Sequence, residues 1–138
     1  MKKLKVASVQ FEHKDGKTGE NLAKISEFVK QARSSGTDLI VFPECCISGM
    51  TFLRDLSRIE LLDIAESVPN GPSIRELSRL AAENEIMIGA GLVEVGDDGE
   101  IYNTYVVAMP NGDHHSHRKL HCFISPHMKS GSQLLTFD

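Results

Sequence analysis

The chain has 138 residues, 41% hydrophobic and 25% charged, with a formal net charge of −4. That balance fits one ordinary globular domain and argues against a disordered tract. Beyond the opening MKKLK there is no run of Lys or Arg to form the broad electropositive footprint nucleic acid requires.

No segment approaches the roughly 20 apolar residues of a membrane span, and the first residues pass straight into an alternating pattern rather than a continuous apolar signal core. The reading is a soluble, cytoplasmic protein with neither nucleic acid nor a membrane as partner. Its three cysteines are an odd number, and adjacent Cys45 and Cys46 make poor partners for each other. Reduced thiols are expected.

In chain order, LKVASVQF (4–11) alternates with a period of two, setting Val6, Ser8 and Gln10 against Ala7, Val9 and Phe11, and is predicted to be the first strand. Residues 21–34 place Leu22, Ile25, Phe28, Val29 and Ala32 on one helical face, with Asn21 as the cap and Gly36 as the stop. TDLIVF (37–42) is a continuous apolar run, the pattern of a central parallel strand covered on both faces. Strand, helix and strand then form a right-handed crossover unit.

A second helix is expected between Phe52 and Val68, carrying Leu56, Ile59, Leu62, Ile64 and Ala65. A third opens at Gly71 and Pro72 with Ile74, Leu77, Leu80 and Ala81 as its apolar stripe. IMIGAGLVEV (86–95) and IYNTYVVAM (101–109) read as strands joined by the glycine-bearing loop GDDGE. The turn PNGD then leads into HHSHRKLHCF. Without repeats or long linkers, the order describes one domain or part of one.

Two places carry chemistry. Glu44 lies where the strand LIVF ends, and in open parallel sheets ligands gather at the carboxyl ends of strands. Burial beside Phe42 and Pro43 would suit its carboxylate to general-base work; the plainer alternative is that it caps the turn or pairs with a surface lysine. The second place, 114–123, holds four of the six histidines together with Arg118, Lys119 and Cys122. His117 and His121 have the spacing of a helical metal-ligand pair, but the strand context and the lack of a CxxC or HExxH argue against a metal site. Lys119, followed by Leu120, could instead lie at an inward-facing strand position where an ammonium steadies a developing oxyanion.

LIVFPE after a first strand ending in VQF, followed by YNTYVV and then HRKLH, resembles the carbon-nitrogen hydrolase, or nitrilase, superfamily over the whole chain. The resemblance implies an α/β fold, here the N-terminal half of a four-layer αββα sandwich that usually pairs with a second subunit. It also implies a Glu-Lys-Cys triad with Glu44 as general base and Lys119 as stabiliser of the tetrahedral intermediate. The substrate would be a small amide, nitrile or carbamoyl compound, with no cofactor or metal, and the protein a homo-oligomer.

In the family the nucleophilic cysteine lies downstream of the lysine, and no Cys follows Cys122 here. Residues 1–138 are therefore expected to be a single hydrolase domain that stops before the nucleophile strand, with Cys45 and Cys46 as packing residues. The family's additional Glu after the lysine has no counterpart before Asp138. The other readings are a non-catalytic α/β interaction module that keeps Glu44 and Lys119 as an ion pair, and a metal-binding histidine cluster.

Overall fold

The computed structural model describes residues 3–137; Met1, Lys2 and Asp138, the ends of the expected domain, lie outside the described residues. Five strands, β1 (Val6–Ser8), β2 (Leu39–Val41), β3 (Met87–Val95), β4 (Ile101–Ala108) and β5 (His114–Arg118), form one sheet in sequence order. β1, β2 and β3 run parallel, and β3, β4 and β5 continue antiparallel. The parallel pairs need crossovers, which the helices supply; the antiparallel pairs need only turns.

Helix α1 (Thr18–Ser34) and helix α3 (Pro72–Asn84) cover one face of this sheet. Ile25, Val29 and Ala32 of α1 meet Ile74, Leu77, Leu80 and Ala81 of α3 over Ile40, Ile88, Ala90, Leu92, Val106 and Ala108. The alternation read in the first strand holds, since Ala7, Val9 and Phe11 are the side chains packed on this core.

Asn21 does not cap α1. The helix begins earlier, at Thr18, and Asn21 is buried in its first turn. There its side chain accepts from the Lys14 N–H (2.8 Å) and donates to the carbonyls of Lys14 (2.8 Å) and Ile47 (3.0 Å), tying the loop after β1 to the turn after β2.

The single helix expected over 52–68 is two pieces: a 3-10 turn, Thr51–Asp55, and a short helix α2, Arg58–Ile64. Leu56 is extended, and Ser57 starts α2 with a capping box in which its side chain accepts from the Glu60 N–H while Glu60 accepts from the Ser57 N–H. The sequence SRIE carries that signal in plain view. Gly71 and Pro72 open α3 as read, and the Glu66 carboxylate accepts from the Ser73 N–H (2.8 Å) and hydroxyl (2.6 Å) at its first turn.

The far face of the sheet is covered only in part. Cys45, Leu53, Leu61, Val93, Ile101 and Met128 form a second, smaller core over its β3–β4 end. Leu39, Val41, Met87 and Val107 remain half-buried, and Val6 is exposed. β2 is therefore covered by helices on one face, not on both as its apolar run suggested. Among the described residues no helix is long and apolar enough to cross a membrane.

Candidate active site

The site is built where the chain leaves β2. Phe42 N–H donates to the Gly89 carbonyl (2.8 Å) and Ile47 N–H to the Gly91 carbonyl (3.1 Å), so six residues on one strand face three on β3. Residues 43–46 are forced out as a tight turn, closed by Cys46 N–H on the Pro43 carbonyl (3.3 Å) and with Cys45 at φ +50°.

β3 accepts this turn because it is bare there. A Cβ on Gly91 would stand 2.4 Å from the Cys45 nitrogen. One on Gly89 would stand 2.9 Å from the Tyr105 ring, whose hydroxyl donates to the Phe42 carbonyl (2.8 Å). Two glycines on one face of a strand thus make room for a close backbone approach.

The two cysteines anchor the turn from opposite sides. Cys45 belongs to the small core on the site face and Cys46 to the helix-side core, both fully buried. Burial pushes the Cys46 thiol up to about 11; burial, then the neighbouring Glu44 charge, pushes Cys45 higher still. Neither presents a thiolate near neutral pH, which is the condition for nucleophilic attack. Their expected role as packing residues fits this geometry.

With its neighbours buried, the Glu44 carboxylate is turned outward. The side chain is 43% exposed, so the burial expected beside Phe42 and Pro43 applies to the turn and not to the charge. Lys119 reaches it from the other side. It follows β5 directly, and its N–H donates to the Asn103 carbonyl (2.8 Å), extending the ladder by one step.

Strand alternation sends Arg118 to the helix face and Lys119 to the opposite one. Arg118 is held there by the buried Glu94, which accepts from its Nη2 (2.6 Å) and Nε (3.1 Å) and from the Thr104 hydroxyl. The Lys119 Nζ then lies 2.6 Å from Glu44 Oε1. Asn103, itself buried, donates from Nδ2 to the same Oε1 at 2.5 Å.

Glu44 and Lys119 thus meet in one cavity of about 380 Å³, lined also by Asn103, Tyr105, His117, Leu120 and His121. Residues 75 positions apart in sequence are brought together by the β2 turn and the end of β5. Of the histidines weighed as metal ligands, His117 and His121 face this cavity, while His115 stacks on Phe137 at 4.0 Å between ring centres. Among the described residues no group of three or more His, Cys, Asp or Glu side chains converges as metal ligands would. The residue the sequence reading passed over is Asn103; it stood in the quoted YNTYVV, but nothing local to it tells of a carboxylate 59 positions away.

A sequence profile of the carbon-nitrogen hydrolase family matches residues 5–136. The chain belongs to the carbon-nitrogen hydrolase family. It is 33% identical over 121 residues to a nitrilase of Pyrococcus abyssi, an alignment covering 87% of this chain and 44% of that protein. To an omega-amidase of Mus musculus it is 32% identical over 126 residues, covering 89% and 42%.

In structure it superposes on a carbon-nitrogen hydrolase superfamily protein of Xanthomonas campestris with a TM-score of 0.83 at 19% identity, covering 100% of this chain and 50% of that one. An N-terminal amidase solved with a Gln-Val peptide gives 0.79 at 20% identity, covering 93% and 31%. These likenesses establish the carbon-nitrogen hydrolase fold, here one sheet and its helix layer. The chain spans about half, or less, of the length of these relatives.

Proposed function

We propose that this chain supplies the base and the oxyanion-stabilising cation of a hydrolase that cleaves carbon-nitrogen bonds, other than peptide bonds, in small amides or nitriles. The observation that carries this reading is the 2.6 Å approach of Lys119 Nζ to Glu44 Oε1 inside one cavity. A base and an oxyanion stabiliser must both lie within hydrogen-bond reach of one reacting carbon, and this pair is close enough to do so.

In this reading the nucleophile is a cysteine that residues 1–138 do not supply, since the Cys45 and Cys46 thiols are buried and protonated and burial also raises the thiol of half-buried Cys122. Glu44 takes the thiol proton and the thiolate attacks the amide carbon. The resulting oxyanion is met by the Lys119 ammonium. Collapse breaks the carbon-nitrogen bond, and the leaving nitrogen takes the proton back from Glu44 as ammonia or an amine. Water, deprotonated by Glu44, then attacks the thioester, releasing the acid and restoring the thiol.

The half-covered sheet face with Leu39, Val41, Met87 and Val107 is, in this reading, the side on which a second sheet packs, and the assembled sandwich pairs with another copy.

The test uses the polypeptide as encoded, with whatever sequence follows Asp138. Ammonia release from a panel of small amides and nitriles is measured for the wild type, Glu44→Gln and Lys119→Met. Loss of a general base or of an oxyanion donor is worth roughly 10²- to 10⁴-fold in rate, so each variant should fall by at least 100-fold while remaining folded. Activity retained within tenfold by either variant would overturn the reading.

A further inference from the structure

Two groups of one residue, a donor and an acceptor, converge on the candidate pair. Asn103 is 4% exposed at the middle of β4, facing the cavity. Its side-chain amide donates to Glu44 Oε1 at 2.5 Å, and its main-chain carbonyl accepts the Lys119 N–H at 2.8 Å. Lys119 Nζ completes the loop by bonding the same Oε1 at 2.6 Å. The closed circuit runs from the Asn103 side chain through the carboxylate and the ammonium back to the Asn103 backbone.

We propose that Asn103 is a positioning residue that fixes Glu44 and Lys119 relative to one another and commits one carboxylate oxygen, leaving the other as the base. This rests on the function proposed above. The assignment follows from how a carboxylate spends its lone pairs. Oε1 accepts two donors, one neutral and one charged, so its lone pairs are taken up by both. Among the described residues Oε2 accepts none, and it alone keeps its lone pairs for a substrate or thiol proton.

A half-exposed carboxylate on a surface turn would otherwise rotate about its side-chain torsions, and an ion pair so exposed holds its geometry only weakly. A buried amide donor on a rigid strand removes that freedom, because leaving the Asn103 NH₂ unsatisfied is itself unfavourable. The identity of the side chain matters for the same reason. Leucine has nearly the same shape and no donor, and aspartate has the same shape with an acceptor in its place.

Zero-length carbodiimide cross-linking of the chain at neutral pH, read by peptide mass spectrometry, reports whether Glu44 and Lys119 stay in contact. The Lys24–Glu27 pair on α1, 2.8 Å apart, is an internal reference that a general loosening of the fold would also disturb. In the wild type both cross-links should form. In Asn103→Leu the Glu44–Lys119 product should fall at least fivefold against the reference. In Asn103→Asp, available should the leucine variant not fold, the ammonium is shared between two carboxylates and a cross-link from Lys119 to position 103 should appear.

A wild type that forms only the reference cross-link would overturn the pairing on which both readings rest. A Glu44–Lys119 product that is present in the wild type, undiminished in Asn103→Leu and undivided in Asn103→Asp would overturn the role of Asn103 alone.

Discussion

Replacing Arg118 with methionine removes the guanidinium from the Glu94 carboxylate. Glu94 is 3% exposed on the helix side of the sheet and accepts from the Thr104 hydroxyl and from both Nη2 and Nε of Arg118. Breaking a buried ion pair by removing one partner costs about 3–5 kcal/mol, because a charge is left in a medium that cannot solvate it. Arg118 is 39% exposed, so water can reach part of the gap and the lower figure applies. Its guanidinium also lies 3.8 Å from the Tyr102 ring centre, a contact worth about 0.5–1 kcal/mol at an exposed site.

The sum is about 3.5 kcal/mol. With a urea m-value of about 1.5 kcal/mol per M for a small domain, the unfolding midpoint should fall by about 2 M. Glu94→Leu combined with Arg118→Met removes both charges, and because apolar replacements of a buried pair are close to neutral the double variant should regain most of the loss. Equilibrium urea unfolding followed by far-UV circular dichroism gives all four corners of the cycle. A shift below about 0.5 M in Arg118→Met, or additive losses in the double variant, would refute the buried-pair argument.

Other outcomes follow from the same structure. Gly91→Ala puts a methyl 2.4 Å from the Cys45 backbone nitrogen, which cannot rotate away, and should destabilise by about 1–3 kcal/mol in the same assay; a neutral result would mean the Glu44 turn does not lie on β3. Because burial raises the Cys46 thiol to about 11 and the Tyr105 phenol to about 12, the unfolded chain ionises first as pH rises. The stability from these groups is complete below about pH 9 and declines as pH climbs through 11 and 12, so urea midpoints measured from pH 8 to 11 should fall. Iodoacetamide under native conditions should label half-buried Cys122 well before the fully buried Cys45 and Cys46, as peptide mass spectrometry would show. Ser57→Ala deletes one half of the α2 capping box and should cost about 1 kcal/mol by thermal or urea unfolding.

Much of this architecture is local and therefore legible in the chain. The apolar stripe of α3 and its Gly71–Pro72 entrance, the alternation of β1, and the hairpin of β3 and β4 each depend on neighbours a few residues apart, and side-chain period and backbone preference set them directly. Glu44 and Lys119 were legible as candidates for a different reason: each sits at the end of a strand pattern, within a motif resembling a known family.

What local pattern misled was decided by packing. Asn21 looks like a cap, but its amide is used to bind the backbone of two loops. Residues 52–68 have helical spacing, yet Leu56 breaks the run so that Ser57 can cap a separate turn.

The sequence by itself determined the parallel strands, the stripe and entrance of α3, the β3–β4 hairpin and the residue types at the two chemical motifs. Only the tertiary structure decided that Gly89 and Gly91 leave space for the turn carrying Glu44, that Arg118 and Lys119 part to opposite faces, and that Asn103 joins Lys119 to Glu44. Those contacts link residues up to 75 positions apart. Each partner's local sequence is compatible with many surroundings, and the contact exists only once the sheet has fixed the register between strands.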